Sequence, residues 1–381
     1  KKREALIVRT IPNTKDKLSK QYSNTNWPYF DREAMTYLVK KGIKHLLIDL
    51  PSVDKENDGG ELVGHHVFWN TNGVLRLDAT ITEFIYVYNH IQDGKYMLNL
   101  QIAPFENILT TVTGLPDTGK ALTESAVNKI SFTGSTRTAK KVAASCAERM
   151  IPVVLECGGK DPVIVDTDAD LKLAAEYALW SAMANAGQSC IGAERVYVVE
   201  SVAEQFIEII TKMAKKIEVG KDSGPATMPS QLKVIQSHLD DAKAMGAKFL
   251  VGGADSVKGA FVEPVIMVDV PESSTAMTQE TFGPTLAINK VVNTDEAIRL
   301  SNASSYGLAA AVFSKRNGER IASKLACGMV SINSVFLFAA VPSVPFGGYK
   351  DSGYGRIHGA EGLLEYTYAR TVVKTRFKIP L

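Results

Sequence analysis

The sequence predicts an α/β fold, in which a separate mixed α/β segment over residues 1–107 precedes a largely parallel sheet covered by helices. Two observations carry this. From Ile108 onward, short apolar runs rich in branched residues alternate with long alanine-rich stretches of helical spacing, the pattern of parallel strands joined by crossover helices. Before Ile108 the apolar runs are shorter and separated by glycine-containing turns. A chain of 381 residues with 45% hydrophobic side chains can bury two or more cores.

In chain order, residues 5–9 and 44–50 read as strands, and 31–41 as a helix from the spacing of Ala34, Leu38 and Val39. Two more strands are predicted at 73–77 and 96–102, with turns at Gly59-Gly60, Asn72-Gly73 and Asp93-Gly94. Beyond the seam, strands at 130–133, 153–156, 163–165 and 196–199 alternate with helices at 139–148, 171–186 and 202–217. Residues 221–229 form a polar loop, and 365–376 alternate β-favouring residues as a C-terminal strand would.

Lysine plus arginine (43) nearly balance aspartate plus glutamate (41). No long-range positive field therefore exists to recruit nucleic acid or an anionic membrane. Partners are expected to be small molecules and like subunits. The four cysteines at 146, 157, 190 and 327 form no Cys-x-x-Cys pair, which argues against a zinc knuckle or a disulfide framework and predicts no metal site. That usage fits a reducing, cytoplasmic setting. No apolar run reaches 18 residues, so the chain reads as soluble and unexported.

Cys190 follows Asn185-Ala186-Gly187-Gln188-Ser189 at the end of a predicted helix and precedes a predicted strand. A thiol at such a turn can face a cleft, where backbone N–H groups stabilise a thiolate and a developing oxyanion. A lone cysteine is more often a small buried hydrophobe, so its context decides. Glu156, in Leu155-Glu156-Cys157-Gly158-Gly159-Lys160, ends an apolar strand just before two glycines. A partly desolvated carboxylate there has a raised pKa and can serve as a general base.

The segments LECGGKDP (155–162) and GQSC (187–190), with Glu156 and Cys190 thirty-four positions apart, resemble in type, order and spacing the paired signatures of aldehyde dehydrogenases. The segments ISFTGST (130–136), QETFGP (279–284), SYGLAAAVFS (305–314), GMVSIN (328–333) and PFGGYKDSGYGR (345–356) agree in the same order. The wording ERMIPVVLECGGKDPVIV (148–165) is similar to the bacterial group that includes succinate-semialdehyde dehydrogenases.

The resemblance implies NAD(P)-dependent oxidation of an aldehyde to its acid. Cys190 would form a thiohemiacetal and then a thioester, and Glu156 would activate the hydrolytic water. It further implies that Gly134 and Ser135 meet the dinucleotide diphosphate at a helix N-terminus, that Glu280 holds the nicotinamide ribose, and that Phe282 packs near the ring. NAD and NADP both remain open as the cofactor, and the family's C-terminal strand implies a homo-oligomer, dimer or tetramer. The implied divisions are a partial, incomplete Rossmann-like NAD(P)-binding region at 108–157, a catalytic domain at 158–350 and a C-terminal tail with an oligomerisation strand at 351–381.

The resemblance begins only at about Ile108, so the family's second oxyanion donor, its adenosine-ribose lysine and the hairpin that pairs with the C-terminal strand fall outside it. Residues 1–107 instead resemble the latter half of a metal-dependent cyclase or kynurenine formamidase-like protein, through HLLIDLPSVD (45–54), GHHVFWN (64–70), NGVLRLDATITEF (72–84) and YMLNLQIAPFEN (96–107). Of that family's later ligands, only His66 with Asp78 or Glu83 could be represented, and two or three groups are few for a catalytic metal. Two alternatives to the dehydrogenase reading are therefore a metal-dependent cyclase or amide hydrolase, and a chimaeric chain without activity.

Overall fold

The structure, a computed structural model, describes residues 4–95 and 112–374. The chain divides into two compact units, residues 1–111 and 112–381. The strand predicted at 96–102 lies outside the described residues.

In the first unit, strands Ala5–Val8, His45–Ile48 and Thr80–Thr82 pair in parallel in that order. Parallel neighbours need a crossover, and helices Arg32–Lys40 and Val63–Trp69 occupy the two connections. Asp31 caps the first helix by accepting the Ala34 N–H at 2.7 Å. Met35, Leu46, Ile48, Val53 and Phe68 form the small core.

One sequence expectation fails here. No strand forms at 73–77, where Asn70 bonds the Val74 carbonyl (2.9 Å) and Arg76 reaches the carbonyl oxygens of Phe68 and Ile43. Val74 and Leu77 are exposed, so this apolar run lacks a surface to pack on. His66 does not meet Asp78 or Glu83. Its Nδ1 faces the Thr71 hydroxyl at 2.6 Å, Asp78 pairs with Lys44, and the neighbouring His65 contacts Asp54 (2.5 Å) and Glu83 (3.7 Å).

The second unit is built on a seven-stranded sheet, in the spatial order Met329–Ile332, Ala309–Phe313, Asp161–Val165, Ala193–Val199, Thr285–Val291, Val265–Val268 and Lys248–Val251. All neighbours are parallel except the last pair. Strand residues alternate between two cores because successive side chains point to opposite faces. Val163, Val165, Val196 and Val198 face helices Leu171–Met183 and Glu200–Ala214. Ile164, Tyr197 and Val199 face helix Pro229–Ala244 through Ile235 and Leu239. Burial of a side chain such as Phe206, which is fully enclosed, contributes roughly 1.5–3 kcal/mol.

A separate three-stranded sheet holds Gly353–Tyr354, Val153–Cys157 and Ile130–Gly134. Its last two strands are parallel and the first is antiparallel, with Gly353 opposite Glu156. Among the described residues of the expected C-terminal strand no strand forms in this single chain, and 375–376 lie outside the described residues. Residues 367–374 have no regular secondary structure, and Tyr368, Val372 and Val373 are exposed.

Candidate active site

Helix Leu171–Met183 starts at Asp170, whose carboxylate accepts the Leu173 N–H at 3.1 Å. It stops three residues short of the predicted end because Asn185, Ala186 and Gly187 all take left-handed φ values (+54°, +57° and +71°). Glycine adopts this region freely, asparagine tolerates it and alanine does so at a cost of about 1–2 kcal/mol. The strained turn is braced locally. Asn185 donates to the Gln188 carbonyl (2.9 Å), Gln188 donates to the Asn185 carbonyl (3.0 Å), and the Gln188 side-chain oxygen accepts the Thr227 N–H (2.8 Å). Cys190 emerges two residues later, part-buried beside Leu308, Ala309, Met329 and Phe346.

Glu156 stands near the end of its strand, flanked by one parallel and one antiparallel neighbour. Its Oε2 accepts the Thr133 hydroxyl at 3.2 Å. Burial raises its pKa above the usual carboxylate range, against the Thr133 hydrogen bond and the nearby His358, which lower it. Two residues further on the glycines lie close to the acids: a Cβ on Gly158 would overlap the Glu280 carboxylate, and one on Gly159 would overlap the Asp161 carboxylate, so larger residues there would displace these side chains.

Cys190 lies within electrostatic reach of Glu156, Asp161 and Glu280. Burial first, and then these three carboxyl groups, push the thiol up to about 11, while its own backbone N–H is the weakest influence and acts downward. The thiolate stabilisation expected from the turn's N–H groups is thus outweighed, because the pocket is desolvated and lined with acids. Glu280 itself is pushed up to about 8, first by burial and then by Glu194. Asp161 is fully buried, raised well above the carboxylate range by burial, and accepts only the Ala309 N–H (3.1 Å).

Gly134 ends the strand Ile130–Gly134, and Ser135 caps the thirteen-residue helix Thr136–Glu148 that follows directly. Its side chain accepts the Thr138 N–H at 3.4 Å. A helix that opens straight off a parallel strand presents backbone donors and a partial positive charge to an anion. The Thr136 side chain and the Glu280 charge both act on the Cys157 thiol, which ties this helix start to the acid cluster. A helix N-terminus, a hydroxyl and a carboxyl group held against a glycine that leaves room for it together suit the diphosphate and ribose chemistry of a nicotinamide dinucleotide.

The family model described as the aldehyde dehydrogenase family matches residues 104–372. The chain belongs to the aldehyde dehydrogenase family. A cyclase family model matches residues 1–55. The chain is 38% identical to a 4,4'-diapolycopene aldehyde oxidase of Methylomonas sp. over 72% of its own length and 53% of the other's. It is 37% identical to a Mycolicibacterium smegmatis protein named "Putative succinate-semialdehyde dehydrogenase", with NADP(+) in its name, over 92% of this chain and 72% of that one. A solved betaine aldehyde dehydrogenase from Staphylococcus aureus, in complex with NAD+, is 28% identical with a TM-score of 0.63, covering 88% of this chain and 61% of that one. The chain spans about half the length of several of the curated relatives it matches: 53% of the Methylomonas oxidase, and 52% and 49% of two proteins also named "Putative succinate-semialdehyde dehydrogenase", with NADP(+) in their names, from Mycobacterium bovis and Mycobacterium ulcerans.

Several buried polar groups around the site were not singled out from the sequence. Lys160 and Glu194 form an ion pair, each under one-tenth exposed, beneath the segment that carries Glu280, Thr281 and Phe282. The available signal was Glu194-Arg195 inside a strand whose every residue is buried: charges at such positions need partners. His358 and Thr133, which act on Glu156, gave no comparable sign.

Proposed function

We propose that this chain oxidises an aldehyde to a carboxylic acid, with Cys190 as nucleophile, Glu156 as general base and NAD or NADP as oxidant. The observation that carries this reading is a part-buried thiol within electrostatic reach of a carboxyl group whose pKa burial raises, in a member of the aldehyde dehydrogenase family. When bound, the dinucleotide supplies the hydride acceptor.

The Cys190 thiol is protonated at neutral pH, so its proton must leave before sulfur can attack the carbonyl carbon. That proton passes to solvent, and Glu156, with its proton affinity raised by burial, is the group suited to the later, hydrolytic step. Sulfur then bonds to the carbonyl carbon, and the N–H of Cys190 would donate to the resulting oxyanion. Once the C–H hydride has been lost, the carbon is a thioester. Glu156 takes a proton from water, the hydroxide oxygen bonds to the acyl carbon, the C–S bond breaks and Glu156 returns the proton to the departing sulfur, releasing acid and thiol. Gly134, Ser135 and the first turn of the helix Thr136–Glu148 would hold the diphosphate, Glu280 the ribose, and Phe282 would pack near the ring.

Single-turnover kinetics of the full chain with a panel of aldehydes test this. The expected result is NAD(P)H formation that vanishes in Cys190→Ala. In Glu156→Gln, a single burst should leave an acyl adduct on Cys190 detectable by intact mass. Turnover that survives Cys190→Ala, or no NAD(P)H from the unaltered chain with any aldehyde, overturns the proposal.

A further inference from the structure

We propose that Glu194 and Lys160 are positioning residues for the cofactor-contact segment, in which the Glu194 carboxylate fixes the backbone of Thr281 and Phe282 and so sets where Glu280 points. This rests on the functional reading above only for the cofactor, not for the geometry. Both Glu194 oxygens accept the Thr281 N–H (3.0 and 2.9 Å), and one also accepts the Phe282 N–H at 2.9 Å. Lys160 pairs with the same carboxylate and donates to the Thr281 hydroxyl at 3.1 Å. Lys160 is 2% exposed and Glu194 6%. Charge-assisted hydrogen bonds of this kind are roughly twice as strong as neutral ones.

The segment needs such a hold. Phe282 adopts a left-handed φ of +52°, unfavourable for a bulky side chain. Other bonds fix Thr281 from the sides: the Gln231 amide donates to its carbonyl (2.6 Å), and His238 Nδ1 lies 3.1 Å from its hydroxyl. Yet the two consecutive N–H groups of 281 and 282 find their partner in Glu194 alone among the bonds described. Glu194 is four residues beyond Cys190 on the strand Ala193–Val199. A Cβ on Gly187, in the nucleophile turn, would overlap the Gly283 carbonyl. The nucleophile turn and the Glu280 segment are therefore fastened to each other at two points, once by backbone contact and once through this carboxylate. Removing the carboxylate would free one carrier of the site while leaving the other in place.

Glu194→Gln alone would leave the Lys160 ammonium buried without a counter-charge, so the working variant is Lys160→Met/Glu194→Gln. Two readouts on the full chain test the inference. In hydrogen exchange, amides at 281–282 should exchange at least tenfold faster in the double variant, while those of the strand Thr285–Val291 keep their unaltered protection. In kinetics, KM for NAD(P)+ should rise about tenfold while KM for the aldehyde changes less than twofold. Unchanged exchange at 281–282, protection lost equally across 285–291, or equal rises in both KM values overturn it. An unaltered chain that binds no NAD(P)+ overturns the functional reading and the cofactor part of this inference, whereas the exchange result still decides the positioning part.

Discussion

Cys190 is the group whose environment makes the most quantitative demand. Raising its pKa from 9.0 to about 11 disfavours the thiolate by about 3 kcal/mol. At pH 8 only about one thiol in a thousand is then ionised, against about a quarter of an unperturbed cysteine of pKa about 8.5. Intrinsic nucleophilicity rises with pKa and recovers roughly a factor of ten. The alkylation rate with iodoacetamide should therefore be about 20-fold below that of a free thiol at pH 8, and should climb about tenfold per pH unit until pH nears 11. Because acidic neighbours contribute to the shift, Glu156→Gln and Glu280→Gln should each move the climb to lower pH. The assay is quench-and-digest mass spectrometry of the Cys190 peptide, which separates it from Cys327, a thiol pushed up still further to about 12. A rate that levels off below pH 9, or a pH profile untouched by both substitutions, would refute the argument that burial and three carboxyl groups control this sulfur.

Two further outcomes follow from the packing. Gly187→Ala combines a φ of +71° with a Cβ that overlaps the Gly283 carbonyl; it should lower thermal stability and slow Cys190 acylation together, measured by calorimetry and burst amplitude, and an alanine variant with an unaltered burst contradicts the described turn. Lys160→Met alone strands the Glu194 carboxylate in the interior, with an expected loss of about 3–5 kcal/mol in denaturant unfolding, most of which Lys160→Met/Glu194→Gln should restore.

The parallel sheet was legible because its strands are nearly continuous branched apolar runs, as at 163–165 and 196–199, and the helices between them carry clear apolar spacing. The helix before Cys190 ends three residues before the predicted end because only Asn185 there signals a turn while Ala184 and Ala186 suit a helix, and the left-handed turn packs against Gly283, far along the chain. The run 73–77 has strand composition but no sheet edge to join, so tertiary context overrode propensity. The helix Val63–Trp69 went unread because seven residues with two histidines give too short a period. At the site, Glu156 and Cys190 could be marked by residue type and spacing. The influence of Asp161 and Glu280 on Cys190 could not be read this way, because it comes from folding that brings segments around 161 and 280 within reach of the thiol.

The strand bearing Glu156 lies between a partner about twenty residues upstream and another, Gly353–Tyr354, almost two hundred residues downstream. During synthesis the carboxylate can therefore acquire its second flank only after Gly353–Tyr354 has left the ribosome. Loop closure over such a separation is slow, and until it happens the acid is an ordinary solvated side chain with an ordinary proton affinity. The chemistry assigned to this residue would thus switch on only once Gly353–Tyr354 has docked, as a property of the assembled sheet and not of its own strand alone.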